Sequence, residues 1–126
     1  MIQESSFKPV WYLKNPHAQT LLANLIHPRP PQVSYETISL PDGDTLEIAR
    51  GTAQGPNTVL ILHGLEGSLR SAYAQRLINT LNQHNIPVAF MFFRGCNGKP
   101  NNKVRSYPSG ETEDLKSVIN YLKDNG

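Results

Sequence analysis

Apolar positions along this chain follow two different periods. Ala18/Leu21/Leu22/Leu25, Ala74/Leu77/Ile78/Leu81 and Leu115/Val118/Ile119/Leu122 each repeat the i, i+3, i+4, i+7 spacing that lines one face of a helix. The first predicted helix opens at Asn15-Pro16, a cap residue followed by the proline that the first helical position tolerates. The third follows Ser109-Gly110, with Glu111, Glu113 and Asp114 in its first turn, where carboxylates favour the helix dipole.

Between the helices the pattern is extended. Val33 to Leu40 and Leu46 to Ala49 flank Pro41-Asp42-Gly43-Asp44, a turn signal that makes the pair an antiparallel hairpin. Thr58 to Leu62 and Val88 to Phe93 are instead continuous apolar runs, as expected of parallel strands covered on both faces. The helix from about Ser71 to His84 lies between them and predicts a right-handed βαβ crossover. The predicted fold class is therefore α/β: an antiparallel hairpin leading into a parallel sheet with flanking helices, preceded by an N-terminal helical segment over 1–31 and with the sheet core over 32–126, in one incomplete domain. A further parallel strand is expected after the third helix, and Gly126 reads as a helix C-cap.

Composition narrows the function classes. With 38% hydrophobic and 17% charged residues the chain reads as globular. A formal charge of +2 is too weak by itself to imply a nucleic-acid or membrane partner. Arg94, Lys99, Lys103 and Arg105 form a stretch without an acid, read as a solvated loop rather than an anion contact. Cys96 is the only cysteine, which favours a reducing, cytoplasmic setting. No signal-peptide pattern opens the sequence and no window reaches the roughly 18 apolar residues of a membrane span.

The run Thr58 to Leu62 leads directly into His63-Gly64-Leu65-Glu66-Gly67-Ser68, a glycine-containing loop at the carboxyl end of a predicted parallel strand. Open α/β sheets place ligands at that position, and backbone amides there can stabilise an oxyanion. A bare strand-to-helix connection fits the same residues equally well.

Several short motifs, in order, resemble the α/β-hydrolase family, in its branch of bacterial YheT-like and eukaryotic abhydrolase-domain proteins. They are Asn15-Pro16-His17-Ala18-Gln19-Thr20, Leu40-Pro41-Asp42-Gly43-Asp44, the His63–Ser68 loop with Ser71-Ala72-Tyr73-Ala74, Phe93-Arg94-Gly95-Cys96, and Arg105-Ser106-Tyr107 before Ser109-Gly110-Glu111. Two positions depart from the family pattern: Pro108, where histidine is usual, and Lys99, where an acid is common. The resemblance covers nearly the whole chain and implies acyl transfer from a small acyl ester to a serine, without a cofactor. The triad would follow the chain order serine, acid, histidine, with an oxyanion hole shared by two amides. By position, one of those amides falls on Leu65, with Gly64 allowing the turn.

The nucleophile elbow of that family is G-x-S-x-G, and no serine in this sequence has it: Ser68 is flanked by Glu66 and Arg70, and Ser109 by Tyr107 and Glu111. The resemblance places the elbow just past Gly126, so the expectation is a truncated, carboxylesterase-like serine hydrolase with one oxyanion arm and no nucleophile, acid or base. The alternative is a split module that pairs with a separately encoded second half through an exposed sheet edge, or self-associates there. His17, His27 and His84 carry no expected catalytic role, and His63 is read as an orienting or packing group. Cys96 follows Gly95, but Arg94 stands where an elbow needs glycine, so a thiol nucleophile is not expected. No H-E-x-x-H or paired-cysteine spacing suggests a metal. The substrate stays open, because the resemblance assigns lid and acyl pocket largely to other polypeptide.

Overall fold

Gly43 adopts φ 83°, a left-handed conformation that side chains disfavour, and this permits the sharp reversal between the first two strands. Leu40 N donates to Asp44 O at 2.8 Å and Gly43 N donates to Leu40 O at 3.0 Å. The turn joins β1 (Ser34–Ser39) to β2 (Thr45–Arg50) as the predicted antiparallel hairpin, with Ser39 opposite Thr45 and Ser34 opposite Arg50. This geometry comes from a computed structural model, which describes residues 6–25, 28–64, 68–98 and 112–125.

The two apolar runs pair in parallel as expected. β3 (Val59–Leu62) and β4 (Val88–Met91) run from Val59 opposite Val88 to Leu62 opposite Met91, and β4 also pairs antiparallel with β2. The sheet order is β1-β2-β4-β3, so all of β4 is buried while no described strand pairs with the outer side of β3. This corrects the expectation that both runs are covered on both faces: Val59 and Leu62 remain 39% and 43% exposed, because β3 lies at the edge. β4 also ends before its apolar run does. Phe92 N still donates to Glu47 O at 3.1 Å, but beyond it the chain turns away.

Alternation along β4 divides the core between two helices. Ala89 and Met91 face one side and pack with Ile48, Val118 and Leu122, so α3 (Glu113–Asn125) covers that face. Val88 and Phe90 face the other and pack with Ile61, Ala74 and Ile78, so α2 (Ala72–Gln83) covers it. α2 ends on Asn85 in the left-handed region at φ 54°, with Asn85 N donating to Asn82 O and Ile86 N to Leu81 O. That closure satisfies the last carbonyls and turns the chain into β4.

The first predicted helix forms as α1 (Pro16–Leu25), capped by the Asn15 side chain, which accepts from His17 N at 2.8 Å. Two leucines of its apolar stripe are not covered by the sheet. Leu21 is 63% exposed and Leu22 is exposed too, because α1 packs chiefly on the short 3-10 turn Trp11–Leu13 rather than on the sheet. The linker after α1 is held more firmly: Asn79 Nδ2 donates to Arg29 O at 2.7 Å and Asn82 Nδ2 to Gln32 O at 3.0 Å. No helix among the described residues is long and apolar enough to cross a membrane.

Tyr121 ties α3 to β1 by donating its hydroxyl to Glu36 Oε2 at 3.2 Å. Burial first, and then the charge of Glu36 and this hydrogen bond, raise the phenol above its ordinary value. The folded chain therefore keeps this proton at a pH where the unfolded chain has lost it, so the stabilisation is intact below about pH 10 and falls as pH rises beyond it. Urea titrations of Tyr121→Phe against the parent between pH 9 and 11 should show a shallower alkaline loss in the variant; equal slopes would contradict the assignment.

Candidate functional site

β3 delivers His63 and Gly64 to its carboxyl end, where the His63 ring is buried and connects two strands. Its Nε2 accepts from Phe93 N at 3.2 Å, so in the neutral ring Nδ1 carries the hydrogen and donates to Gly64 O at 2.9 Å. The ring also stacks on Phe90 at 5.7 Å and meets Phe93 edge-on at 5.0 Å. These contacts support an orienting and packing role: His63 fixes the exit of β3 against the exit of β4.

Gly64 is exposed, its φ is outside the left-handed region, and an added Cβ would meet nothing within 4 Å. The turn expected at Gly64 runs on into residues that lie outside the described ones. The absence of a side chain leaves the approach to that peptide open. Leu65, the expected oxyanion donor, lies outside the described residues, as do Glu66 and Gly67. The chain is described again at Ser68, whose carbonyl accepts from Ser71 N at 3.0 Å and Ser71 Oγ at 2.6 Å, setting the start of α2.

The exit of β4 is built differently from the reading of its sequence. Phe93-Arg94-Gly95-Cys96 forms a turn closed by Cys96 N donating to Phe93 O at 2.9 Å, with Gly95 at φ 75°. Arg94 was expected in a solvated loop, yet it is 6% exposed. Its Nε and Nη2 donate to Asp114 Oδ2 and Oδ1 at 2.8 and 2.7 Å, a two-pronged pair, while Nη1 reaches Asp42 Oδ2 at 2.6 Å and Asp44 Oδ2 at 3.3 Å. Hydrogen bonding to Asp114 holds the guanidinium charged and raises it above its ordinary value; burial opposes this, and Asp42 adds to it. The physical reason for the correction is this set of carboxylates, without which a buried guanidinium would be costly.

Three junctions meet in that cluster: the β1–β2 turn, the exit of β4 and the first turn of α3. Asp42 and Asp114 are each legible in sequence as a turn former and a dipole partner. Their convergence on Arg94 carries no local signal beyond short acids at element ends and an arginine set between Phe93 and Gly95. The other basic residues of the stretch, Lys99, Lys103 and Arg105, lie outside the described residues, as do Pro108, Glu111 and His27. His17 and His84 are exposed.

A cavity of about 640 Å³ opens beside the two strand exits, lined by Leu69 and Arg70 after β3, Phe92 and Cys96 after β4, and Val33 and Tyr35 of the hairpin side. Tyr35 stacks on Phe92 with ring centroids 6.2 Å apart. Cys96 is half-buried among the lining residues of the cavity.

A β3–α2–β4 parallel unit with helices on both faces of the sheet is an α/β arrangement of the kind found in α/β-hydrolases. The chain carries that fold and is related in sequence to the YheT and abhydrolase-domain branch of those proteins. It is 36% identical over 124 residues to YheT of Escherichia coli strain K12, an esterase by name, covering 94% of this chain and 36% of that protein. It is 26% identical over 132 residues to human phospholipase ABHD3, covering 97% of this chain and 32% of that protein. The chain thus spans about a third of the length of the curated relatives it matches. No family model matches it. Among solved structures, XC6422 of Xanthomonas campestris, described as an α/β serine hydrolase without lid, superposes with a TM-score of 0.57 at 22% identity, over 75% of this chain and 46% of that one. That likeness supports the fold.

Arg94→Met leaves the carboxylates of Asp44 and Asp114 buried without their cation, a change expected to cost about 3–5 kcal/mol of stability. Urea unfolding followed by circular dichroism reads it. A loss below about 1 kcal/mol would place the Arg94 cluster among weak surface pairs.

Proposed function

We propose that these residues form the opening section of a carboxylic-ester hydrolase, supplying one arm of an oxyanion hole but none of the reacting groups. The observation that carries this reading is the sequence relation to YheT over nearly the whole chain, combined with a loop at the exit of β3 in the position where such folds bind reacting carbonyls. In the completed site, the Leu65 amide donates to the oxygen that becomes negative when a serine hydroxyl attacks an acyl ester. Gly64, with no side chain, leaves that oxygen room to approach. The nucleophile, acid and base come from polypeptide outside these residues, since no G-x-S-x-G is present within them. The fold needs no cofactor for this chemistry, and a lone cysteine suits a cytoplasmic setting.

The open edge of β3 favours a second reading, in which a separately encoded segment adds its strand there. Val59 and Leu62 present apolar surface at an edge that no described strand pairs, the condition under which strands recruit partners. Both readings predict that the 126-residue chain alone gives no turnover of p-nitrophenyl esters and no covalent adduct with a fluorophosphonate probe. Labelling of any of its own serines would overturn both. In an assembly completed by a nucleophile-bearing segment, Leu65→Pro removes the donating amide and should lower kcat by about 10²–10³-fold.

A further inference from the structure

The charge of this chain is segregated. Between Glu4 and Glu36 there is no acidic residue, while Lys8, Lys14 and Arg29 fall in that interval. All other positions together carry nine basic and ten acidic side chains, so the net positive charge of the whole chain resides in its N-terminal arm. The weak overall balance conceals this.

The same arm presents the most exposed large apolar side chains among the described residues. Trp11 is 81% exposed, Phe7 77% and Leu21 63%, and no residue from 6 to 22 is buried. Trp11 and Tyr12 stand edge to face at 5.5 Å, flanked by the exposed Lys8 and Lys14. Exposed apolar surface on this scale marks an interaction site. Its chemistry distinguishes the partner: protein interfaces deplete lysine, whereas bilayer surfaces favour aromatic rings at the headgroup level with lysines reaching lipid phosphates. Three cations without a compensating acid match an anionic surface.

We propose that residues 6–25 lie on an anionic lipid bilayer, with Phe7, Trp11, Tyr12 and Leu21 entering the headgroup boundary and Lys8 and Lys14 contacting lipid phosphates. The arm supplies only a ten-residue helix, about half of what a span needs, and carries two lysines, so it rests on the surface and does not cross it. The Asn79 and Asn82 hydrogen bonds to Arg29 and Gln32 hold the segment after the arm to α2. This association is independent of hydrolytic activity.

Trp11 is the only tryptophan, so its emission reports the arm directly. In the 126-residue chain, vesicles containing phosphatidylglycerol should shift that emission to the blue, and brominated acyl chains should quench it; pure phosphatidylcholine vesicles should do neither at the same lipid concentration. Lys8→Gln with Lys14→Gln should weaken binding roughly 20- to 30-fold, with an unchanged circular dichroism spectrum. Val59→Lys with Leu62→Lys, on the sheet edge, should bind as the parent does. The proposal fails if anionic vesicles leave Trp11 unmoved, if neutral vesicles act equally, if the edge variant loses binding, or if the blue shift appears with protein concentration in the absence of lipid.

Discussion

One guanidinium organises the junctions of this fold. Arg94 is a planar, always-charged group placed where the chain leaves the central strand, and its donors are distributed over Asp114, Asp42 and Asp44. These partners come from two other pieces of structure: Asp114 from the first turn of α3, and Asp42 and Asp44 from the hairpin turn. None of these pieces could bury its charge alone, since an isolated carboxylate or guanidinium in the core would be heavily penalised. Folding of the three junctions is therefore mutual, and the exit of β4 is held at a fixed place relative to the helix that follows.

His63 performs the neutral counterpart of this role on the neighbouring strand. By accepting from Phe93 N and donating to Gly64 O, it links the exits of β3 and β4 through one ring packed against Phe90. Phe93 and Arg94 are adjacent, so the two devices share a single stretch of backbone. The backbone up to Gly64 is thus held by aromatic packing through His63, and the exit of β4 by the charge cluster.

Much of the scaffold was legible in the chain because periodicity reports burial. The alternation around Pro41–Asp44 gives the hairpin, continuous apolar runs give the parallel pair, and the 3.6-residue stripes give all three helices. What periodicity cannot report is whether a partner surface is present. The Leu21/Leu22 stripe of α1 and the Val59/Leu62 edge of β3 have the pattern of covered elements, and both are exposed among the described residues. Nor can it report convergence across the sequence. Arg94 lies about 50 positions from Asp42 and Asp44 and 20 from Asp114, and its local surroundings of lysines and asparagines suggest solvent. The site loop was recognisable as a motif, and its residues after Gly64 lie outside the described ones.

A double-mutant cycle between Arg94 and Asp114 tests most directly whether this cluster holds the junctions together. With Arg94→Met, Asp114→Leu and the combined variant measured by denaturant unfolding, the two-pronged buried pair predicts a coupling energy of about 2 kcal/mol or more. A coupling within about 0.5 kcal/mol of zero would contradict it, since independent sites behave that way.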